Sequence, residues 1–268
     1  MYVHPGEHYN LADKSRYAPF FVHETVLEQG SGDDIEDVLS VANDLYIVCD
    51  GATSISRVPS HPAVSGGRQA AELTAAAFSG NNGSLQYMVR QANNEIFQAM
   101  AESAVVMEDR ESLWSTSFAA LRFSCDYIEW AQSGDCLIVL VFEDGSHELI
   151  TEPPGQDIVT LQKWKEIGRN EKKTIYQVLA EEIGEVRRRM NRDYGVLNGE
   201  AESLDFVRYG VEDVSAVTDI LLFSDGLSLP RELPEEAVDI SRMVELYRHQ
   251  GLDGIKRQVR RMEQQDPR

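Results

Sequence analysis

Apolar positions along the chain alternate between a two-residue and a near four-residue period, and this change of period predicts the order of elements. Phe20–Glu28 and Asp44–Cys49 are rich in β-branched and aromatic residues and read as strands. Gly66–Ser79 is Ala-rich and predicts a helix, closed by Gly80 and the Asn81-Asn82-Gly83 loop. A second helix starts at Ser84 and runs to about Glu102, with Leu85, Met88, Val89, Ala92, Ile96 and Ala99 at helical spacing. Four short strands follow at Thr116–Phe123, Tyr127–Gln132, Cys136–Phe142 and Glu148–Ile150. The links between them are Ser124-Cys125-Asp126, Ser133-Gly134-Asp135 and Glu143-Asp144-Gly145, so an antiparallel meander is expected. Residues 155–192 read as helical, and the cluster Arg187, Arg188, Arg189 and Arg192 as a solvated helix face. Asp205–Tyr209 and Asp219–Phe223 return to strand, and Val238–Gln250 and Gly254–Met262 to helix.

No internal repeat and no low-complexity linker divides the chain, so residues 1–268 are expected to form a single α+β domain, with antiparallel sheets and helices on their outer faces. A chain of this length can bury roughly 70–75% of its unfolded surface. Charge narrows the partners: 45 Asp+Glu against 25 Lys+Arg give a formal net charge of -20. So acidic a surface repels phosphodiester backbones and anionic lipid, and neither nucleic acid nor a membrane is expected as a partner. Residues 1–150 hold 22 acidic and only 7 basic side chains, which leaves carboxylates there without partners. Cys49, Cys125 and Cys136 are odd in number and lack CxxC spacing, as buried thiols of a reducing compartment would. The N-terminus shows no basic and apolar leader pattern, and the longest apolar run, Cys136–Phe142, is far shorter than a membrane helix, so a cytoplasmic location is expected.

Phosphate-binding Gly-rich loops, HExxH and GxSxG are all absent, and six scattered histidines do not suggest zinc. Carboxylate chemistry remains. Leu45–Gly51 and Ile220–Gly226 are both apolar strands that end in Asp-Gly, at Asp50-Gly51 and Asp225-Gly226. A buried strand holds such a carboxylate rigidly at a sheet end, and the Gly admits close backbone approach. Hard cations such as Mg²⁺ or Mn²⁺ want a few fixed carboxylates, with carbonyls and waters completing the shell. Each Asp-Gly alone is also an ordinary turn dipeptide. The matched pair, with Asp33, Asp34, Glu36 and Asp37 upstream, favours a metal site.

The order of short motifs resembles the metal-dependent Ser/Thr protein phosphatases of the 2C type. Glu36-Asp37 precedes a strand, Val48-Cys49-Asp50-Gly51 follows, and Gly66-Gly67 opens an Ala-rich helix. Ser115-Thr116, Ser133-Gly134-Asp135, Leu149-Ile150-Thr151 and Leu222–Leu227 continue the series to about residue 228. The resemblance implies a four-layer αββα sandwich of two antiparallel sheets flanked by helix pairs, with two Mg²⁺ or Mn²⁺ ions at one end. It implies hydrolysis of phosphoserine or phosphothreonine in a phosphoprotein substrate by a water that the ions activate. Carried over by position, Asp50 bridges both ions, the Gly51 carbonyl binds one, Asp225 binds the second, and Glu36 and Asp37 support the ligand shell or its waters. Asp50 and Asp225 are thus the expected catalytic carboxylates.

Four departures accompany the resemblance. The stretch Gly32-Asp33-Asp34-Ile35 just before Glu36-Asp37 lacks the Arg that the family often has there, Ala52-Thr53-Ser54 stands where the family has His or Met and glycines, and Cys136 stands where it commonly has Ser. The family's last strand and its Asp are not found before Asp266-Pro267-Arg268. No general-acid His is assigned, though His61 lies downstream. These departures motivate an alternative, a non-catalytic domain of the same fold that binds a partner or senses a ligand. An aspartyl-phosphate mechanism is disfavoured, because Ala52 and Leu227 stand two residues after the Asp where a second Asp is wanted.

Overall fold

The computed structural model describes residues 2–5, 21–29, 35–53, 64–79, 82–124, 126–168, 171 and 173–265. Its strands are β1 (Tyr2–Pro5), β2 (Phe21–Glu24), β3 (Val38–Ala42), β4 (Leu45–Gly51), β5 (Thr116–Ser124), β6 (Tyr127–Ser133), β7 (Leu137–Phe142), β8 (His147–Leu149), β9 (Arg208–Asp213) and β10 (Val217–Phe223). Its helices are α1 (Gly66–Ser79), α2 (Leu85–Glu102), α3 (Ile158–Ile167), α4 (Ile175–Val178), α5 (Ala180–Arg188) and α6 (Ile240–Gln265). The strands form two five-stranded antiparallel sheets, in the orders β2-β1-β10-β7-β8 and β3-β4-β5-β6-β9.

The central strands are apolar at both parities, and this dictates the layering. Successive side chains on a strand face opposite sides, so a strand apolar throughout must be covered twice. On β4, Leu45, Ile47 and Cys49 pack under α1 and α2, while Tyr46 and Val48 face the other sheet. Between the sheets they meet Leu121, Ile128, Cys136, Ile138, Leu140, Ile220 and Leu222. The opposite face of β7 and β10, with Leu137, Val139, Val141, Leu221 and Phe223, is covered by Met243, Val244, Tyr247 and Ile255 of α6. Gly251, at φ 66°, breaks α6 into two helical halves, which cover this sheet as a pair. Four layers result, helix pair, sheet, sheet, helix pair, as the motif resemblance implied.

Local signals account for several boundaries. α1 spans the predicted residues, and Ser84 caps α2 by accepting the Tyr87 N–H at 3.2 Å. Three expectations are corrected. The four central strands are not one meander: β5 and β6 pair in one sheet, whereas β7 pairs with β10 and β8 in the other. Ser133-Gly134-Asp135 is therefore a corner between sheets, and it sends Asp135 to the end of the sandwich. Residues 201–206 form a 3₁₀ turn and the strand begins only at Arg208, because Ser203 bonds back to Asn198 and Glu200 instead of to a ladder. The N-terminus supplies a strand that the pattern of residues did not announce, β1, which pairs with β10 through Tyr2↔Leu221 and Val3↔Ile220. Asp33, Asp34, His61, Cys125 and 266–268 lie outside the described residues. Among the described residues no helix is long and apolar enough to cross a membrane.

Candidate active site

Asp50 ends β4, Asp225 follows β10, Asp37 precedes β3, and the sandwich brings these three ends together. Asp50 is hydrogen-bonded to both Asp37 and Asp225, although Asp37 and Asp225 are 188 residues apart in the chain. Ser224 tightens the junction, donating its Oγ proton to Asp37 Oδ2 at 2.8 Å. Glu36 lies beside the same cleft, where the Ser65 hydroxyl donates to its Oε1. Ser65 also accepts the Arg68 N–H at 3.1 Å and so caps α1, which ties the start of that helix to the Glu36-Asp37 segment. Arg68 reinforces the tie, with Nη1 donating to the carbonyls of Ile35 and Asp37, each at 3.0 Å.

The Asp50-Gly51 turn is built to close tolerance. A Cβ on Gly51 would collide with the Gly67 backbone, and one on Gly67 with the Ala52 carbonyl, so the two backbones touch only because both residues are Gly. Thr116 Oγ1 donates to the Asp50 carbonyl at 2.8 Å, and the Ala52 N–H donates to the Ser115 carbonyl at 3.0 Å. The Ser115-Thr116 motif thus acts as a brace for the carboxylate-bearing turn.

Electrostatics follow from crowding. Burial pushes the Asp50 carboxyl well above the ordinary carboxylate range, and the neighbouring charges of Asp225, Asp135 and Asp37 push it further. Asp225 is pushed up to about 7, by burial first and by the Asp135 charge second. Burial also raises Asp37, against the pull of its bonds to Ser224 and Asp50. The Asp225 side chain nonetheless opens to the cleft, so solvent moderates its shift. Two carboxylates at hydrogen-bonding distance cannot both ionise unless a cation joins them, and a proton otherwise holds them together.

Asp135 and Asp157 complete the acidic wall and were not singled out as site residues. Asp135 Oδ1 is a buried oxygen with no hydrogen-bond partner, while Oδ2 accepts from Gln156 Nε2 at 3.1 Å. A pocket of about 290 Å³ joins Asp135, Asp157 and Asp225 to Trp164, Lys165 and Arg231. The signal for Asp135 was present, a third carboxylate next to the end of an apolar strand, but a Gly-Asp hairpin turn would have looked the same.

The donor chemistry suits hard divalent ions: several carboxylates, one with an orphaned buried oxygen, and no thiolate or imidazole among them. Among the described residues no three His, Cys, Asp or Glu side chains form a ready-made metal cage. A family model for protein phosphatase 2C matches residues 29–262. The chain belongs to the protein phosphatase 2C family. Among solved structures it is similar to the catalytic domain of the serine/threonine phosphatase PstP in complex with two manganese ions, at 18% identity, TM-score 0.53 and 85% of both chains. It is likewise similar to PstP/Ppp of Mycobacterium tuberculosis, at 19% identity, TM-score 0.51 and 85% of both chains. PppA, a regulatory component of the type VI secretion system of Pseudomonas aeruginosa, shares 16% identity, with TM-score 0.51 over 85% of this chain and 83% of that one. No curated protein sequence matches the chain. In this member of the phosphatase 2C family, Asp37, Asp50 and Asp225 of the Glu-Asp and two Asp-Gly motifs lie together at one end of the sandwich.

Proposed function

We propose that the chain is a Mg²⁺- or Mn²⁺-dependent phosphoprotein phosphatase acting on phosphoserine and phosphothreonine. The observation that carries this reading is the hydrogen-bonded cluster of Asp37, Asp50 and Asp225, drawn from three strand ends and flanked by Asp135. Family membership supports it, and so does the PstP relative described with two manganese ions. Asp50 and Asp225 would hold the ions, with the Gly51 carbonyl as a further ligand and Glu36 and Asp37 orienting the ligand shell. When bound, two such ions supply charge neutralisation for the phosphate and a water made nucleophilic near neutral pH.

The residues themselves perform the remaining work. Ser224 and Ser65 fix the orientations of Asp37 and Glu36, and Thr116 fixes the Asp50 backbone. The stretch Gly32-Asp33-Asp34-Ile35 just before Glu36-Asp37 holds no Arg, and Arg68 is committed to backbone carbonyls and Glu72. Lys165 and Arg231 line the pocket beside Asp225 and supply cationic charge there for a phosphorylated side chain. The test is phosphate release from a phosphothreonine peptide by chelator-treated protein during Mn²⁺ titration. Release that begins only with Mn²⁺ and is lost in Asp50→Ala is expected. Absence of metal-dependent release would return the chain to the alternative of a non-catalytic binding domain.

A further inference from the structure

The arginine cluster of α5 departs from its expected role as a solvated face. Arg188 and Arg189 do face outward, and Arg188 pairs with Glu111 and Glu185. Arg187 instead turns inward and is only 6% exposed. Its guanidinium donates from Nη1 to the Glu111 carbonyl at 2.8 Å, and from Nη2 to the carbonyls of Thr53 at 2.8 Å and Ala52 at 3.3 Å. A buried guanidinium needs such acceptors, since an unsatisfied one is heavily penalised. Two of the three acceptors belong to the residues that directly follow Asp50-Gly51. Tyr176 of α4 hydrogen-bonds the Thr53 side chain, so a second contact reaches one of these two residues from the same helical region.

The turn after β4 is thereby held from two directions. Thr116 and Ser115 grip it from the adjacent strand, at the Asp50 carbonyl and the Ala52 N–H. Arg187 grips the carbonyls of the next two residues from outside the sheet. We propose that Arg187 is a positioning residue for the divalent-ion site: by anchoring Ala52 and Thr53 it sets the Gly51 carbonyl and the Asp50 carboxylate in register for the ions. This rests on the phosphatase reading above. Arg187 touches neither ion nor substrate in this role, and its effect belongs in ion affinity more than in the chemical step. Partners that orient metal ligands from behind typically matter 10- to 100-fold in ion affinity.

Calorimetric titration of Mn²⁺ into the full chain tests this, with the thermal midpoint of each chelator-treated variant measured alongside. Arg187→Gln is expected to remain folded and to bind Mn²⁺ about tenfold or more weakly. Arg187→Lys, with one ammonium for three carbonyls, should fall between it and the wild type, and Tyr176→Phe should weaken binding a few-fold. The kcat for p-nitrophenyl phosphate should recover toward wild type at saturating Mn²⁺, which a general loss of structure would not allow. A folded Arg187→Gln that binds Mn²⁺ within twofold of wild type overturns the proposal. Should Arg187→Gln fail to fold, unchanged affinity in both Arg187→Lys and Tyr176→Phe overturns it equally. A wild type that binds no Mn²⁺ at all overturns the phosphatase reading and this proposal together, an outcome distinct from wild-type binding that the variants leave unaltered.

Discussion

Replacing Asp50 by Asn separates the carboxylate's service to a cation from its service to the fold. The carboxyl at this position is pushed well above its ordinary range by burial and by Asp225, Asp135 and Asp37, so the fold favours its protonated form, which can donate to its neighbours. An Asn amide has the same shape and also donates, so chelator-treated Asp50→Asn should match the wild type in thermal midpoint or slightly exceed it. Mn²⁺ changes the comparison. At a concentration 100 times the dissociation constant, an ion bound only by the native state stabilises it by about 2.7 kcal/mol. At about 2–3 °C per kcal/mol for a domain of this size, the wild type should gain roughly 5–8 °C. Asp50→Asn should gain under about 2 °C, because the carboxylate expected to bridge both ions is gone. Scanning calorimetry with and without Mn²⁺ reads both effects in one experiment. An equal Mn²⁺ gain in Asp50→Asn would refute the assignment of Asp50 as a ligand. A sharp fall in its metal-free midpoint would refute the argument that the carboxyl is held at a disadvantage.

Three further outcomes follow from the same geometry. Asp225 is pushed from 3.8 to about 7, so the native state binds a proton that the unfolded chain has already lost, and stability of chelator-treated protein should fall as pH rises from about 4 to about 7. The full shift corresponds to about 4 kcal/mol, which solvent in the open cleft reduces to about 1–2 kcal/mol; urea melts across that range measure it, and a flat profile contradicts it. Gly51→Ala drives a methyl group into the Gly67 backbone and should cost about 1–3 kcal/mol in the same melts while weakening Mn²⁺ binding; full stability with full binding would show that the two backbones separate freely. Ile138→Ala, with its side chain wholly buried between the sheets, should cost about 2–5 kcal/mol and leave Mn²⁺ affinity near wild type; a loss below about 1 kcal/mol would contradict the inter-sheet core.

What the residues announced, and what they hid, divides along the range of the interactions involved. α1 was legible end to end because an Ala-rich stretch and its flanking glycines are local signals, and β4 because its apolar run is unbroken. The carboxylate site was legible as two Asp-Gly strand ends, whose convergence the fold supports. The crossing between sheets was hidden, since Ser133-Gly134-Asp135 makes a corner as readily as a hairpin and the choice is made by the partner of β7, β10, some eighty residues later. With that crossing hidden, the place of Asp135 beside Asp225 was hidden too. Arg187 was misjudged for a related reason. Four arginines within six positions look like one solvated face, and only the tertiary placement of α5 against Ala52 and Thr53 turns one of them inward. The pairing of β1 with β10 joins segments far apart along the chain, and a four-residue strand carries too little pattern to reveal it.

The central claim is that the ends of β4 and β10 jointly hold two divalent ions. Electron paramagnetic resonance of Mn²⁺ titrated into chelator-treated protein tests it most directly, because it counts bound ions and reports whether two are close enough to couple. The account predicts two Mn²⁺ per chain with an exchange-coupled signal that vanishes in Asp50→Asn. Free-ion signal persisting at millimolar protein and Mn²⁺, or a coupled pair that survives in Asp50→Asn, would contradict it.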